Sequence, residues 1–390
     1  MGIKNVIEAI LPYGILKLTQ KHLTKNIFNY FRGNFKEYVV RENSVLIIEF
    51  TSYHGEVFPG LTRYLLDLGY NVDIVFRKST EKKGHTNRND TGLFSCFSGD
   101  HRVSSKTLSS MDMNLLLRSS ASTIYKHIII VTFYDRMRQS HFYGVDFFKL
   151  KPVCIMHYPD ITNDYFQTNK IISLVKMDCL DRKPPYRVSA HYFGNVSKKN
   201  KKGTTVFVTL NTKNLPRRNL YLLFSACDKL YKKGITNFLV KVIGDGLPIP
   251  ERFHNNFQIF GFLDYQNMYK EITEADFFLA LIDQASVEYT NKASGSYSLS
   301  YGFLKPIVLH RKFSDTSGFT AENSVLYNDN DDLSSAIEKC INMSNNEYST
   351  LVSSLEISEK RLYDVSLANL KMVLEAQIQY VSHDKQLDLT

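Results

Sequence analysis

No apolar run in the sequence approaches the ~20 residues that a membrane-crossing helix needs. The longest strand-like run, HIIIVTF from His127, has the length of a buried strand. Cysteine is scarce. Five residues, Cys96, Cys154, Cys179, Cys227 and Cys340, are scattered, odd in number and without paired spacing. That pattern argues against a disulfide framework or a structural zinc and fits a reducing compartment. The eleven histidines show no ligand spacing, so no metal is expected. Internal repeats and low-complexity tracts are missing. No zinc-finger, RNA-recognition or helix-turn-helix pattern accompanies the positive charge, so nucleic acid is not an expected partner. The opening stretch MGIKNVIEAILPYGILKLTQKHL is interrupted by Glu8 and Pro12 and is followed by no small-residue cleavage site. It does not read as a signal peptide, and a cytoplasmic protein is expected.

What is present is ample. The 390 residues are 43% hydrophobic and 22% charged, enough for two domains with their own cores. The net charge is +9, and Lys4, Lys17, Lys21, Lys25, Arg32, Lys36 and Arg41 crowd the first 42 positions. Apolar residues alternate with them at helical spacing. Segment 1–42 reads as a helix packed on the domain with its lysines outward, or as an amphipathic segment on an anionic membrane surface. The two are compatible, and a peripheral position at the inner face of the cell membrane follows from the second.

Along the chain, VLIIEF (45–50), a loop TSYHGEVFPG, the helical pattern LTRYLLDLGY and the strand NVDIVF make a βαβ unit. Residues 79–122 are polar and read as a long loop with a helix near MDMNLLLRSS. HIIIVTFY and KPVCIMHY are further strands. A Pro pair and a Lys run between 182 and 204 mark a linker. A second series follows: strands TTVFVTL, NFLVKVIG, FQIFGFL, DFFLALID, PIVLH and SVLYND, interleaved with helices, then one or two C-terminal helices. The prediction is α/β, two tandem doubly wound Rossmann-like domains with a cleft between them. The expected division is 1–42 amphipathic segment, 43–190 first domain, 191–355 second domain and 356–390 C-terminal helix and tail. Ligands of such sheets sit at the carboxyl ends of the strands.

One stretch, NKASGSYSLSYGFLKPIVLH (291–310), places Ser294, Gly295 and Ser296 where a helix begins. Exposed N–H groups and the helix dipole make such a turn a phosphate site, or the serine simply caps the helix. The surrounding order favours the first. Lys213 and Arg218 stand five apart before a helix, VIGDG supplies Gly244 and Asp245, and Ala275-Asp276 opens a later strand. In this order and spacing, residues 205–340 resemble the nucleotide-binding domain of GT-B glycosyltransferases, and are similar to the retaining, family 4-like bacterial polysaccharide enzymes. The resemblance implies a nucleotide-sugar donor whose diphosphate lies against Lys213, Arg218 and the turn, with no metal or other cofactor. Two cations and a helix end aimed at the leaving group stabilise the charge that develops there. Tyr289 is a candidate to stack on a base or sugar, or to pack.

One feature departs from that family. Its two glutamates, eight residues apart, fall at Asn291 and Leu299, and Glu288 precedes the first by three. The first domain should hold the acceptor and a base, drawn from His54 and Glu56 after the first strand and from His157 and Asp160 in MHYPDITNDYF; Asp135 is a further cleft-edge acid. The expected activity is glycosyl transfer to a growing glycan, in particular a lipid-linked bacterial surface polysaccharide. The alternatives are a nucleotide-sugar 2-epimerase of the same fold and a non-catalytic transferase-like partner subunit.

Overall fold

The computed structural model describes residues 40–376 apart from 52–53, 78–91, 134–141, 143, 158–169, 178–184, 197–200, 202, 212–217 and 245–247. Segment 1–39, Asp135, Asp160, Lys213 and Asp245 therefore lie outside the described residues.

Strand β1 (Ser44–Glu49) is buried along its whole length. A parallel strand covered by helices on both faces must be, which is why VLII carries no polar alternation. Helix α1 (Phe58–Asp67) has Pro59 in its first turn, where an amide would have no helical partner. Strand β2 (Asn71–Arg77) returns parallel to β1. Next come β3 (Val103–Leu108), α2 (Ser110–Arg118), β4 (His127–Ile130), β5 (Val153–Met156), β6 (Ile171–Ser173) and β7 (Tyr186–Arg187). They complete a seven-stranded parallel sheet of order β3-β2-β1-β4-β5-β6-β7.

Three of these strands depart from the expected pattern. The stretch expected as loop and helix contains β3, an edge strand whose VSSKTL faces solvent on much of its surface and so shows no apolar run. Strands β6 and β7 have only three and two residues, too short to display a period.

The second sheet is built from β8 (Thr205–Asn211), α3 (Leu220–Lys232), β9 (Phe238–Gly244), β10 (Phe257–Phe260), α4 (Tyr265–Glu274), β11 (Phe277–Leu279), α5 (Gly295–Gly302), β12 (Ile307–His310), β13 (Val325–Tyr327) and α6 (Leu333–Asn342). Its order is β10-β9-β8-β11-β12-β13, again parallel throughout. Two doubly wound sheets are thus present, as expected. In each, the order reverses beside the first strand: between β1 and β4, and between β8 and β11. Those are the points where such sheets open a crevice.

A single helix, α7 (Asn345–Glu375), closes the described chain with 31 residues and a Ser344/Glu347 capping box. It runs back onto the first domain. Ser366 Oγ accepts the Ser189 N–H at 3.0 Å, and Asn369 Nδ2 donates to the Arg187 carbonyl at 2.9 Å. Lys170 Nζ donates to the Leu374 carbonyl near its end at 3.3 Å. The connection between domains is pinched. A Cβ on Gly60 of α1 would lie 2.6 Å from Ala190 Cα, and one on Gly302 of α5 only 2.0 Å from the His191 carbonyl oxygen. Tyr269 of α4, Tyr297 of α5 and Phe303 just after α5 join the core of the first domain. The other face of the second sheet packs separately on α3 and α6. Among the described residues no helix is long and apolar enough to cross a membrane.

Candidate functional site

The crevice of the second domain gathers around a buried cation. Arg218 is 8% exposed. Its Nη1 donates to the Ala280 carbonyl just past β11, and its Nη2 donates to Ser294 Oγ at 3.1 Å. Ser294 has the extended backbone of an N-cap, yet its hydroxyl caps no amide of its own helix; it accepts from Arg218 instead. The Tyr297 N–H bonds back to the Ser294 carbonyl at 2.9 Å, and the amides of Gly295 and Ser296 begin the helix with a guanidinium beside them. Ser296 is fully buried, and its hydroxyl has no hydrogen-bond partner among the described residues. Leu281 follows Ala280 with φ +49°, a left-handed conformation that a bulky residue adopts only when its surroundings impose it. Its carbonyl accepts the Asn219 N–H at 3.0 Å, which fixes the start of α3 against β11.

The other residues expected here are placed as follows. Gly244 ends β9 at φ +111°, and its N–H donates to the Gly261 carbonyl at 3.1 Å, beyond β10. Tyr289 is buried, with Lys292 Nζ 5.4 Å from its ring centre. Lys292 also pairs with Glu288 at 3.2 Å. Leu299 is 1% exposed and lies in the core.

The crevice of the first domain faces this one. His54 and His157 stack at 4.0 Å with 25° between their planes. His54 Nδ1 lies 3.6 Å from Glu56 Oε1. The same carboxylate oxygen lies 3.6 Å from where a Cβ would stand on Gly295, so Glu56 reaches across to the start of α5. The Ala293 N–H points at the His157 carbonyl at 3.4 Å, a second contact between the crevices. His157 is held by the Val131 carbonyl, 2.8 Å from its Nε2. A carbonyl only accepts, so Nε2 carries a proton. Burial first, and the neighbouring His54 second, push the His157 pKa well below the usual imidazole value, so this ring is neutral at pH 7. Of the stacked pair, His54 is the ring with solvent access, its side chain 26% exposed.

Sequence reasoning missed Glu49. It ends β1 as an acid in an otherwise apolar strand, and the structure places it at the reversal point between β1 and β4. Oε1 accepts the Thr51 N–H and Oε2 accepts the Thr132 hydroxyl, each at 2.5 Å. Burial raises its pKa, while Thr132, the charge of His54 and Thr51 pull it back. The only signal was the acid in VLIIEF.

Of the residues expected at the site, the structure brings His54, Glu56 and His157 together with Arg218, Ser294 and Gly295. Ser296 lies just inside the same helix start, and Gly244 stands at the end of β9. Among the described residues there is no group of three His, Cys, Asp or Glu able to hold a metal.

No protein-family model matches the sequence, and no curated protein matches it. Solved structures do match. A Staphylococcus aureus TarM variant in complex with fondaparinux, α-GlcNAc-glycerol and UDP superposes with a TM-score of 0.58 at 9% identity, over 86% of this chain and 100% of that one. A second TarM structure gives 0.57 at 8% identity, over 86% and 99% of the two chains. An Escherichia coli trehalose-6-phosphate structure bound with UDP-2-fluoro glucose gives 0.50 at 10% identity, over 86% and 100%. The chain has the GT-B fold. The two faces described above are the two sides of the GT-B cleft: a cation and a helix end on one, stacked histidines with a glutamate on the other.

Proposed function

We propose that the protein is a glycosyltransferase moving a sugar from a nucleotide-sugar donor to a glycan acceptor in this cleft. The observation that carries the proposal is Arg218, a buried guanidinium bonded to both the end of β11 and Ser294 at the start of α5. A cation in that place is suited to the diphosphate of a nucleotide sugar, and stabilises it more as the sugar–phosphate bond breaks. On this reading Lys213 and Asp245 are assigned to the same donor site, together with Gly244, Tyr289 and Ser296. That fold neighbours were solved with UDP or a UDP-sugar supports UDP as the first nucleotide to test.

On the facing side His54 is the base. With Nδ1 toward Glu56, its Nε2 takes the proton of the acceptor hydroxyl. His157, neutral and stacked on it, adds no competing charge, and Asp160, three positions on in the sequence, remains a further acceptor-side candidate. Base-assisted displacement inverts the anomeric centre, which product stereochemistry would test. The acceptor is a growing glycan, a lipid-linked surface polysaccharide reached from the inner face of the membrane through segment 1–42. Flotation with anionic vesicles, before and after removal of 1–42, tests that part.

The deciding experiment is a thermal-shift panel of UDP, GDP, CDP, CMP and dTDP against wild type and Arg218→Ala. A ligand at ~100 times its Kd adds about 2.7 kcal/mol. One nucleotide class should raise the midpoint of wild type and leave the variant unmoved. A wild type unmoved by every nucleotide would sink the donor site. Asn291 and Leu299, where the resembled family has glutamates, favour a second reading as a non-catalytic partner subunit; nucleotide binding without sugar turnover would select it.

A further inference from the structure

Glu49 has no part in the transfer chemistry given above, yet it is the acid most deeply set in the first crevice, 1% exposed. Both of its oxygens accept: Oε1 from the Thr51 N–H and Oε2 from the Thr132 hydroxyl. The Thr51 N–H can only donate, while the Thr132 hydroxyl can donate or accept, so an ionised carboxylate is satisfied here by two donors. The partners flank the site on both sides. Thr51 opens the loop that delivers His54. Thr132 follows Val131, whose carbonyl holds His157 Nε2 at 2.8 Å. One carboxylate therefore ties together the supports of both stacked rings. A neutral side chain would join the two strand ends without desolvating a charge. Burial raises the Glu49 pKa, so its carboxylate gains from any positive charge that forms nearby, and the charge of His54 is among the influences that oppose the rise.

We infer that Glu49 is a positioning residue for the acceptor side: it holds the supports of the His54–His157 stack and is the buried counter-charge for His54 when that ring is protonated. This rests on the transfer reading above. In the step itself the acceptor oxygen bonds to the anomeric carbon as its proton passes to His54. The bond from that carbon to the diphosphate oxygen breaks, and its electron pair leaves with the nucleoside diphosphate. Glu49 exchanges no proton in this step.

The test is Glu49→Gln in the full chain. The amide oxygen still accepts from Thr51, and the Thr132 hydroxyl can turn to accept from the amide NH2, so shape is kept and charge is lost. UDP release is followed with UDP-glucose and UDP-N-acetylglucosamine as donors and water as acceptor. The expected result is kcat lower by at least about tenfold with KM within about twofold. The melting midpoint should be unchanged or higher, because a buried charge is gone. A clamp with only a structural role would instead lose midpoint and KM together with kcat. Turnover of the Gln variant within about twofold of wild type overturns the role, as does a loss seen only with a fallen midpoint. Should that variant fail to fold, Thr132→Val leaves the charge and removes one of its donors; lower kcat at unchanged KM supports the role, and wild-type kcat overturns it. Wild type that neither releases UDP nor shifts its midpoint with nucleotide brings down the transfer reading and this role together. An active wild type with an active Gln variant brings down the role alone.

Discussion

The two sheets share one topology and reverse their strand order at equivalent points, but one buries a guanidinium there and the other a carboxyl group. At the β8/β11 reversal Arg218 is tied to Ala280 and Ser294. At the β1/β4 reversal Glu49 is tied to Thr51 and Thr132. A strand reversal gives each domain a crevice with converging backbone ends and leaves its polarity to a single side chain. The second crevice is thereby suited to an anion, and the first is organised around an acid. The same comparison holds for how the ends are fixed. Helix α5 presents its amide end directly, while the first crevice is made by side chains from three strand ends. One side is a property of backbone geometry, and the other of packing between residues far apart in the chain.

The harshest way to break that contrast is to remove the cation. Arg218→Ala should lower kcat/KM for a UDP-sugar by about 10²–10³-fold, the range seen when a group that stabilises developing charge is lost. Arg218→Lys should recover little, because an ammonium on a flexible stem does not span two acceptors as the planar guanidinium does. Steady-state UDP release measures both, and near-wild-type turnover in the Lys variant would show that charge alone suffices. Next in size is the joint between the crevices. Gly302→Ala puts a methyl 2.0 Å from the His191 carbonyl, a backbone atom with no room to yield. A loss of about 3 kcal/mol is expected from such overpacking. Gly60→Ala, at 2.6 Å from Ala190 Cα, should cost less. Urea denaturation of the pair checks the ranking, and equal midpoints would mean that the connection shifts aside.

The two crevices also differ in how far the sequence announces them. The second crevice follows a local order: Arg218 before a helix, Gly244 at a strand end, Ser294 and Gly295 before another helix. Each lies in a stretch whose period can be read by itself, and the fold class follows from the same periods. The first crevice is not local. Glu49 and Thr132 are separated by 83 positions, and nothing in VLIIEF or VTFY shows that they meet. His54 and His157 were visible as single residues, but their stacking depends on β1 and β5 flanking β4 in the sheet. The left-handed Leu281 was hidden for the opposite reason: tertiary contacts impose on it a conformation that its residue type disfavours. Leu299 shows the limit of reasoning by family position, since the place of an expected acid is occupied by a core side chain.

A smaller effect sharpens the electrostatic side of the comparison. His157 has its pKa lowered in the folded state from an ordinary value of 6.5. A group of that kind binds protons more readily when unfolded, so stability is full above the unfolded pKa and falls as pH drops below it. His127, pushed down to about 4 by burial and then by Lys170 and Lys126, acts in the same direction. The melting midpoint should therefore decline from pH 6.5 toward pH 5, each histidine contributing at most about 1.4 kcal/mol per pH unit. His157→Gln should flatten the slope. An unchanged slope would mean that His157 already accepts a proton in the folded cleft, which would also remove it as the neutral partner of His54.

The smallest effect is expected where the two domains meet at the surface. Lys176 Nζ lies 2.7 Å from Asp315 Oδ2, but the two side chains are 52% and 77% exposed. Water and salt screen such a pair, and its measured worth is usually about 0.2–1 kcal/mol. Along the same seam Arg187 Nη2 donates to the Ser317 carbonyl at 2.8 Å from a largely buried position, and burial lowers its pKa. Lys176→Ala should thus leave the midpoint almost unchanged and insensitive to added salt, while Arg187→Ala, which strips a buried carbonyl of its donor, should lower it clearly. If instead Lys176→Ala reduces UDP-sugar turnover with the midpoint intact, closure of the cleft depends on that exposed pair. The seam would then be held by surface charge more than by the buried contacts between the two crevices.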